Sequence, residues 1–339
     1  MRPVNCKFPR PGPLSRGGEA ARPFLLSCGS MTEYSIGVDL GGTNLRAAAV
    51  SREGKMLGKI AGRSELQAGR DAVLLDIVSA IKRLIEQNTD RKLIGVGMGV
   101  PGFIRFEEGV IVGSNNLPDF EDFPIRDEIE RLLGEKLILE NDANAAALGE
   151  KWIGAGRDVD DLVMLTLGTG IGGGIISHGK ILRGYLGMAG EIGHITVMAD
   201  GNPCGCGNRG CLEKHASATA IVAMAKLLHL GDGISSEGVY KLAVEGNERA
   251  LMIFTAVGEA LGIALAGLIN IFNYPLYLLS GGPLPAWDLF APHMMHEVEK
   301  RSYTFREAKT RIEKAALGNE AGLYGAAYLP FQAQEDAKH

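Results

Sequence analysis

Residues 34–50 read Tyr-Ser-Ile-Gly-Val-Asp-Leu-Gly-Gly-Thr-Asn-Leu-Arg-Ala-Ala-Ala-Val. Two apolar runs flanking a Gly-Gly-Thr-Asn turn are the pattern of an antiparallel hairpin. Residues 34–39 are predicted as a strand, Leu40-Gly41-Gly42-Thr43-Asn44 as the turn, and 45–50 as the return strand. A second turn, Arg52-Glu53-Gly54-Lys55, leads to a third strand over 56–60. Downstream, Leu74, Ile77, Val78, Ile81, Leu84 and Ile85 recur at helical spacing within 71–88, and an apolar strand follows over 93–100. Meander, helix and buried strand together are α/β grammar. A further helix over 125–133 and a short strand over 136–139 end at Glu140-Asn141-Asp142.

The same grammar restarts at Leu162. A strand over 162–167, a Gly168-Thr169-Gly170 turn, a strand over 171–177, a His178-Gly179 turn and a strand over 180–182 repeat the first meander. The glycines that mark its two turns lie 13 residues apart in the first unit, Gly41 to Gly54, and 11 apart in the second, Gly168 to Gly179. This matching spacing predicts an internal duplication. Two α/β lobes would then each present a Gly-Thr hairpin to a shared cleft, and a nucleotide phosphate chain between the hairpins accounts for both.

Composition sets the outer limits. The chain has 339 residues, of which 46% are hydrophobic and 22% charged, an ordinary balance for a folded protein long enough for two cores. Glycine is 47 of 339, about twice the usual share, and the excess gathers in loops where backbone approaches something closely. The net charge is −5; five basic residues against Glu19 give residues 1–30 a charge of +4 and leave −9 for the remainder. A basic nucleic-acid surface on the body is excluded on this balance. Residues 1–30 carry five prolines and no apolar periodicity, so they are expected to be a disordered leader, with Met31 as the alternative start. The apolar run before Cys28 spans only residues 24–26, far short of the ~7–15 of a signal core. Residues 251–271 hold a single charge, Glu259, and are long enough to span a bilayer. Their glycines and the absence of basic flanks point instead to a buried helix. A cytoplasmic location without membrane attachment is expected.

Between Glu191 and Glu213 lie His194, Cys204, Cys206 and Cys211. Three thiols and one imidazole supply the tetrahedral set that zinc favours. A disulfide would leave one cysteine over, and a bridge within Cys204-Gly205-Cys206 would be strained. A structural Zn2+ site flanked by two carboxylates is the expectation.

These motifs, taken in order, resemble the ROK family of sugar kinases and sugar-responsive repressors, within the actin/hexokinase/Hsp70 superfamily of ribonuclease H-like ATPase folds. The resemblance runs from Ser35 to about Leu329. Asp39-Leu40-Gly41-Gly42-Thr43-Asn44 is similar to the family's first phosphate motif and 167–174 to its second. Glu140-Asn141-Asp142-Ala143-Asn144-Ala145 is similar to its catalytic motif, and Gly190-Glu191-Ile192-Gly193-His194 with the cysteines and Glu213 to its sugar and zinc signature. The combination is most like the family's bacterial glucokinases. It implies a two-lobed α/β fold with a central cleft: an N-terminal lobe over 31–140, onto which a C-terminal helix over 316–330 packs back, a larger lobe over 141–315 with the zinc site, and a tail over 331–339.

The resemblance also implies roles. Asp39, Gly41, Gly42, Thr43, Asn44, Thr169, Gly170, Gly281 and Gly282 would bind ATP, with Asp39 placed to hold Mg2+ directly or through water. Asp142 would be the catalytic base; by itself it also reads as an N-cap aspartate. Gly102, Asn115, Asn141, Asp142, Glu191, His194 and Glu213 would contact the sugar. If one ring nitrogen of His194 binds zinc, the other is free to donate to a sugar hydroxyl. The implied reaction is ATP-dependent phosphorylation of a hexose, glucose first, at its 6-hydroxyl; another sugar-kinase specificity is the alternative. A sugar-sensing repressor is the further one, although residues 1–30 are too few and too irregular for a helix-turn-helix. The partners implied are hexose and ATP, with a homodimer or homotetramer as the assembly.

Overall fold

The computed structural model describes residues 31–42, 44–63, 69–114, 116–307 and 309–338. The predicted leader over 1–30 and the predicted site residues Thr43 and Asn115 lie outside them. Contacts gather Thr32–His339 into one unit.

The first meander is β1 (Glu33–Leu40), β2 (Asn44–Ser51) and β3 (Met56–Arg63), followed by α1 (Arg70–Glu86) and β4 (Lys92–Val100). A small hairpin, β5 (Phe103–Arg105) and β6 (Val110–Gly113), precedes α2 (Ile125–Leu133) and β7 (Leu137–Asn141). Then come α3 (Asp142–Ile153) and the second meander, β8 (Leu162–Leu167), β9 (Ile171–Ser177) and β10 (Lys180–Ile181). Helices α4 (Glu213–Ala216), α5 (Ala218–Leu227), α6 (Ser236–Val244) and α7 (Glu248–Phe272) lead to β11 (Leu276–Gly281). The chain closes with α8 (Trp287–Arg301), β12 (Arg311–Lys314) and α9 (Ala321–Asp336).

The duplication is visible in the sheet orders. One sheet runs β3-β2-β1-β4-β7 and the other β10-β9-β8-β11-β12, so each places its meander strands third, second, first and then adds two crossover strands. In both, the meander pairs are antiparallel, and the crossover strands pair parallel to the meander's first strand and to each other.

Strand burial explains why the central runs read as continuously apolar. Along β1, Ile36, Val38 and Leu40 point to the core formed with α1 and α2, while the alternate positions face the other way. There the Ser35 hydroxyl donates to the Ala327 carbonyl of α9. In β8 and β11, Val163, Leu165, Tyr277 and Leu279 join the core with α4–α8, and Leu162, Met164, Leu276 and Leu278 face α3 and α9. Both faces of each sheet are therefore covered.

Helices α3 and α9 form the layer between the sheets, which dictates their small residues. A side chain at Gly325 would place its Cβ 1.6 Å from the Ala145 carbonyl oxygen, so the two backbones meet without one. The apolar stretch predicted over 251–271 is α7, most of it buried against α8 and its neighbours, as a core helix is.

Two local readings are corrected. The C-terminal helix starts at Ala321, not 316, and continues through Pro330 to Asp336 instead of giving way to a tail at 331. The chain before it is held otherwise: the Ala315 amide continues the pairing with β11 by donating to the Leu279 carbonyl at 2.8 Å, the Ala316 and Leu317 amides donate to the buried Glu150 carboxylate at 3.1 and 2.7 Å, and Gly318–Glu320 form a separate 3-10 turn. The N-cap of α3 is Asn141, whose side chain accepts from the Ala143 and Asn144 amides. Asp142 is thereby the first helical residue instead of the cap.

Candidate active site

A cavity of about 1040 Å3 opens where the ends of β1, β4, β7, β8 and β11 converge. Strand ends gather at such a position because parallel crossovers place their loops on one edge. Asp39, Asn141, Asp142, Glu191, His194 and Glu213 all line it, as do Gly102, Thr169, Gly170, Gly281 and Gly282. Gly41, Gly42 and Asn44 form the first hairpin's turn, closed by the Gly41 amide donating to the Asn44 carbonyl at 2.8 Å, and lie outside the lining. Ser114 and Asn116, which flank the undescribed Asn115, are in the lining.

Asp142, at the start of α3, is part of this lining. Its Oδ1 accepts the Ala143 amide at 2.8 Å. Burial pushes its carboxyl from an ordinary 3.8 up to about 6, and the nearby charges of Asp39 and Glu191 push the same way against that hydrogen bond. A carboxylate held near 6 is ionised at neutral pH yet still basic enough to take a proton.

Asp39 stands at the end of β1, directly opposite Arg46 of β2 in the antiparallel register. The Arg46 guanidinium is paired with Asp39 Oδ2, and its Nη1 donates to the Asn319 carbonyl at 2.6 Å. Burial still raises the Asp39 carboxyl above the usual aspartate range despite this pairing. Arg46, Asn319 and Gly322 all line the cavity and were not anticipated from the sequence. The turn read from the sequence, 40–44, would put residue 45 across from 39; the observed pairing of Leu40 with Leu45 shifts the register by one and puts Arg46 there instead.

The second hairpin is drawn more tightly. The Gly168 amide donates to the Gly170 carbonyl at 2.9 Å, and the Ile171 amide donates to Glu213 Oε2 at 3.1 Å. Gly281, with φ +111, ends β11 beside it.

His194 links this cleft to the cysteines. Its Nδ1 is 3.6 Å from Cys204 Sγ and its Nε2 is 3.9 Å from Glu191 Oε2. Cys206 Sγ and Cys211 Sγ are 3.7 Å apart, and the ligand atoms of all four residues lie within 4.8 Å of one another. A zinc tetrahedron with bonds of about 2.3 Å to sulfur and about 2.0 Å to nitrogen has S···S edges of about 3.8 Å and S···N edges of about 3.5 Å. The 3.6 Å S···N and 3.7 Å S···S separations match those edges, and the sulfur pair is far from the ~2.05 Å of a disulfide. The segment is pre-shaped by pairing of Thr196 with Cys211 and of Pro203 with Arg209. The donor chemistry thus fits a closed structural zinc site.

Comparison with known proteins agrees with this geometry. The chain is similar to a glucokinase from Thermotoga maritima, with 39% identity over 308 residues covering 87% of this chain and 96% of that protein. It is also similar to a xylose repressor from Caldicellulosiruptor bescii, with 30% identity over 325 residues covering 92% and 81%. Among solved structures, a ROK family glucokinase from Streptomyces griseus in complex with glucose and AMPPNP superposes with a TM-score of 0.72 at 34% identity, covering 88% of this chain and 99% of that one. The duplicated sheets and central cleft are the actin/hexokinase-like architecture expected from the sequence. The family model that describes the ROK family matches residues 35–333, and the chain belongs to that family.

Proposed function

We propose that this protein is an ATP-dependent hexose kinase that converts glucose to glucose 6-phosphate. One observation carries the reading: Asp142 shares one cavity with the Thr169–Gly170 turn and with Glu191, His194 and Glu213. A phosphate cradle, a base and a ring of hydroxyl-binding groups in one cleft are the parts phosphoryl transfer to an alcohol requires. The glucokinase relative and the solved glucokinase with glucose and AMPPNP support the same donor and acceptor.

In this reading, the sugar lies on the Asn141, Glu191, His194 and Glu213 side, where polar groups paired to hydroxyls discriminate by the cost of leaving either unpaired. Asp142 accepts the proton of the 6-hydroxyl as its oxygen bonds to the γ-phosphorus. The bond from that phosphorus to the β,γ-bridging oxygen breaks, and ADP leaves. Backbone N–H groups of Thr169 and Gly170, and of Gly42 beside Asp39, orient the phosphates, while the Gly41 and Gly168 amides hold the two turns closed by donating to the Asn44 and Gly170 carbonyls. Thr43 and Asn44 at the first hairpin and Gly282 near the adenosine side complete the assigned set. Asp39, an oxygen ligand at the cleft, would hold Mg2+, directly or through water as Arg46 occupies one of its oxygens. Mg2+ would neutralise phosphate charge when bound. His194, Cys204, Cys206 and Cys211 would hold Zn2+, which fixes His194 with its Nε2 toward the sugar.

The division into lobes over 31–140 and 141–315, a homodimer or homotetramer, and a cytoplasmic place in glycolysis belong to the same proposal. They rest on the family resemblance, and sedimentation of the purified chain tests the assembly. Coupled ADP release with glucose, mannose, fructose, N-acetylglucosamine and N-acetylmannosamine tests the activity. Glucose is expected to give the highest kcat/KM; absence of turnover on all of them with ATP and Mg2+ would favour a sugar sensor.

A further inference from the structure

Glu140 is a fully buried carboxylate immediately before Asn141 and Asp142, and its partner comes from 43 residues downstream. Its Oε2 accepts two donors of Arg183, Nε at 2.9 Å and Nη2 at 2.6 Å. Its Oε1 accepts the Asn141 amide at 2.9 Å and Asn144 Nδ2 at 3.0 Å. Four donors converge on one buried group, which removes it from solvent without leaving a lone pair idle. The carboxylate itself is not part of the cavity lining but bonds two residues that are, Asn141 and Asn144, so its value lies in what it holds.

Arg183 opens the segment that ends at Glu191. The Ala189 amide donates to the Arg183 carbonyl at 3.0 Å and closes residues 183–189 into a loop. The guanidinium also lies over the Phe106 ring, 5.0 Å from its centroid. A Cβ on Gly187 would fall 2.6 Å from that ring, so the loop rides directly on Phe106. Phe103, Ile104 and Phe106 from the β5–β6 hairpin and Gly187, Ala189 and Gly190 from the loop all line the cavity. One side chain therefore ties together the strand that delivers Asp142, the loop that delivers Glu191, and the hairpin between them.

We propose that Arg183 is a positioning residue that clasps these three elements and sets the sugar-side wall of the cleft without touching the sugar. Two guanidinium N–H groups converging on one carboxylate oxygen, with the same plane lying over an aromatic ring, fix direction as well as distance, which a lysine ammonium does not reproduce. The second hairpin and the Asp39–Arg46 pair lie outside the clasp, so nucleotide binding is independent of it. The proposal rests on the kinase reading above.

The test is steady-state kinetics and calorimetric glucose binding on Arg183→Lys, Arg183→Met and the double variant Glu140→Gln/Arg183→Met, each with a melting curve and zinc analysis. Glucose KM and Kd are expected to rise about tenfold in Arg183→Lys and about 10- to 100-fold in Arg183→Met, with ATP KM within about twofold of wild type. The double variant removes the uncompensated buried charge but keeps an acceptor for the Asn141 amide and Asn144 Nδ2, so its melting temperature is expected to recover while its glucose KM stays high. Glucose and ATP KM rising alike, or glucose KM recovering together with the melting temperature, would show a merely structural pair and overturn the proposal. So would an unchanged glucose KM in both single variants. A wild-type chain that neither binds nor phosphorylates glucose would overturn the kinase reading itself, and is recognised before any variant is compared.

Discussion

The Glu213 carboxylate accepts the Ile171 backbone amide at 3.1 Å, so a residue two positions past the last cysteine of the His194–Cys211 cluster is bonded to the second Gly-Thr hairpin. In the proposed reading this one side chain joins the sugar side to the phosphate side. Glu213→Gln keeps an acceptor for that amide and is expected to raise glucose KM about tenfold with ATP KM nearly unchanged. Glu213→Ala loses both functions and is expected to raise both KM values about tenfold. An ATP KM untouched by Glu213→Ala would show that the bond does not order the hairpin.

Metal removal is expected to act mainly on the sugar. With His194 Nδ1 beside Cys204 and Nε2 facing Glu191, loss of the ion frees the ring to rotate away from the cleft. Cys206→Ser, or chelation verified by elemental analysis, is expected to weaken glucose binding at least tenfold while AMPPNP affinity changes less than threefold, by calorimetry. Equal glucose affinity in a verified zinc-free protein would contradict this.

Asp142 predicts both a pH profile and a stability change. Its carboxyl titrates at about 6 in the folded chain and near 3.8 when unfolded, so the folded state binds the proton more tightly. Stability contributed by this group is therefore greatest at low pH and is lost as pH rises from about 4 through about 6. Asp142→Asn, which can still accept the Ala143 amide, is expected to be more stable than wild type at pH 8 by about 1–2 kcal/mol after solvent screening, with the gap closing toward pH 4. The kcat of the wild type should fall below an apparent pKa near 6. Urea titrations at pH 4 and 8 and a pH–rate profile check the two halves separately.

Asp39 and Arg46 predict a metal-linked defect. Asp39→Asn is expected to raise the Mg2+ concentration needed for half-maximal rate at least fivefold while leaving glucose Kd within about twofold, since the proposed reading puts Asp39 on the phosphate side. A shifted glucose Kd with an unchanged Mg2+ requirement would move Asp39 to a different role.

The packing of α3 on α9 leaves no room for a methyl group at Gly325, 1.6 Å from the Ala145 carbonyl oxygen once a Cβ is added. Gly325→Ala is expected to lose about 2–3 kcal/mol in urea unfolding, because one helix must move. A loss below about 0.5 kcal/mol would show that the layer relaxes freely.

The meanders were legible because apolar runs broken by glycine turns encode strands locally, and Leu162–Leu167 and Ile171–Ser177 fall where the pattern puts them. The metal cluster was legible because its ligands lie within 18 residues. Arg183 was not, since its partner Glu140 is reached only through the fold. The start of α9 was hidden for a similar reason: Ala316 and Leu317 look helical, but their amides are claimed by Glu150 from another helix. Asp142 was found by motif, yet its release from the capping position depends on Asn141 taking that task, which spacing alone does not decide.

The most direct test is formation of glucose 6-phosphate by wild type and Asp142→Asn, identified by phosphorus NMR, with glucose Kd measured on the same samples. Wild type is expected to form it with ATP and Mg2+, and the variant to lose about 10²- to 10⁴-fold in kcat while its glucose Kd stays within about threefold. Near-normal product formation by Asp142→Asn would contradict the assignment of Asp142 as the base on which the account depends.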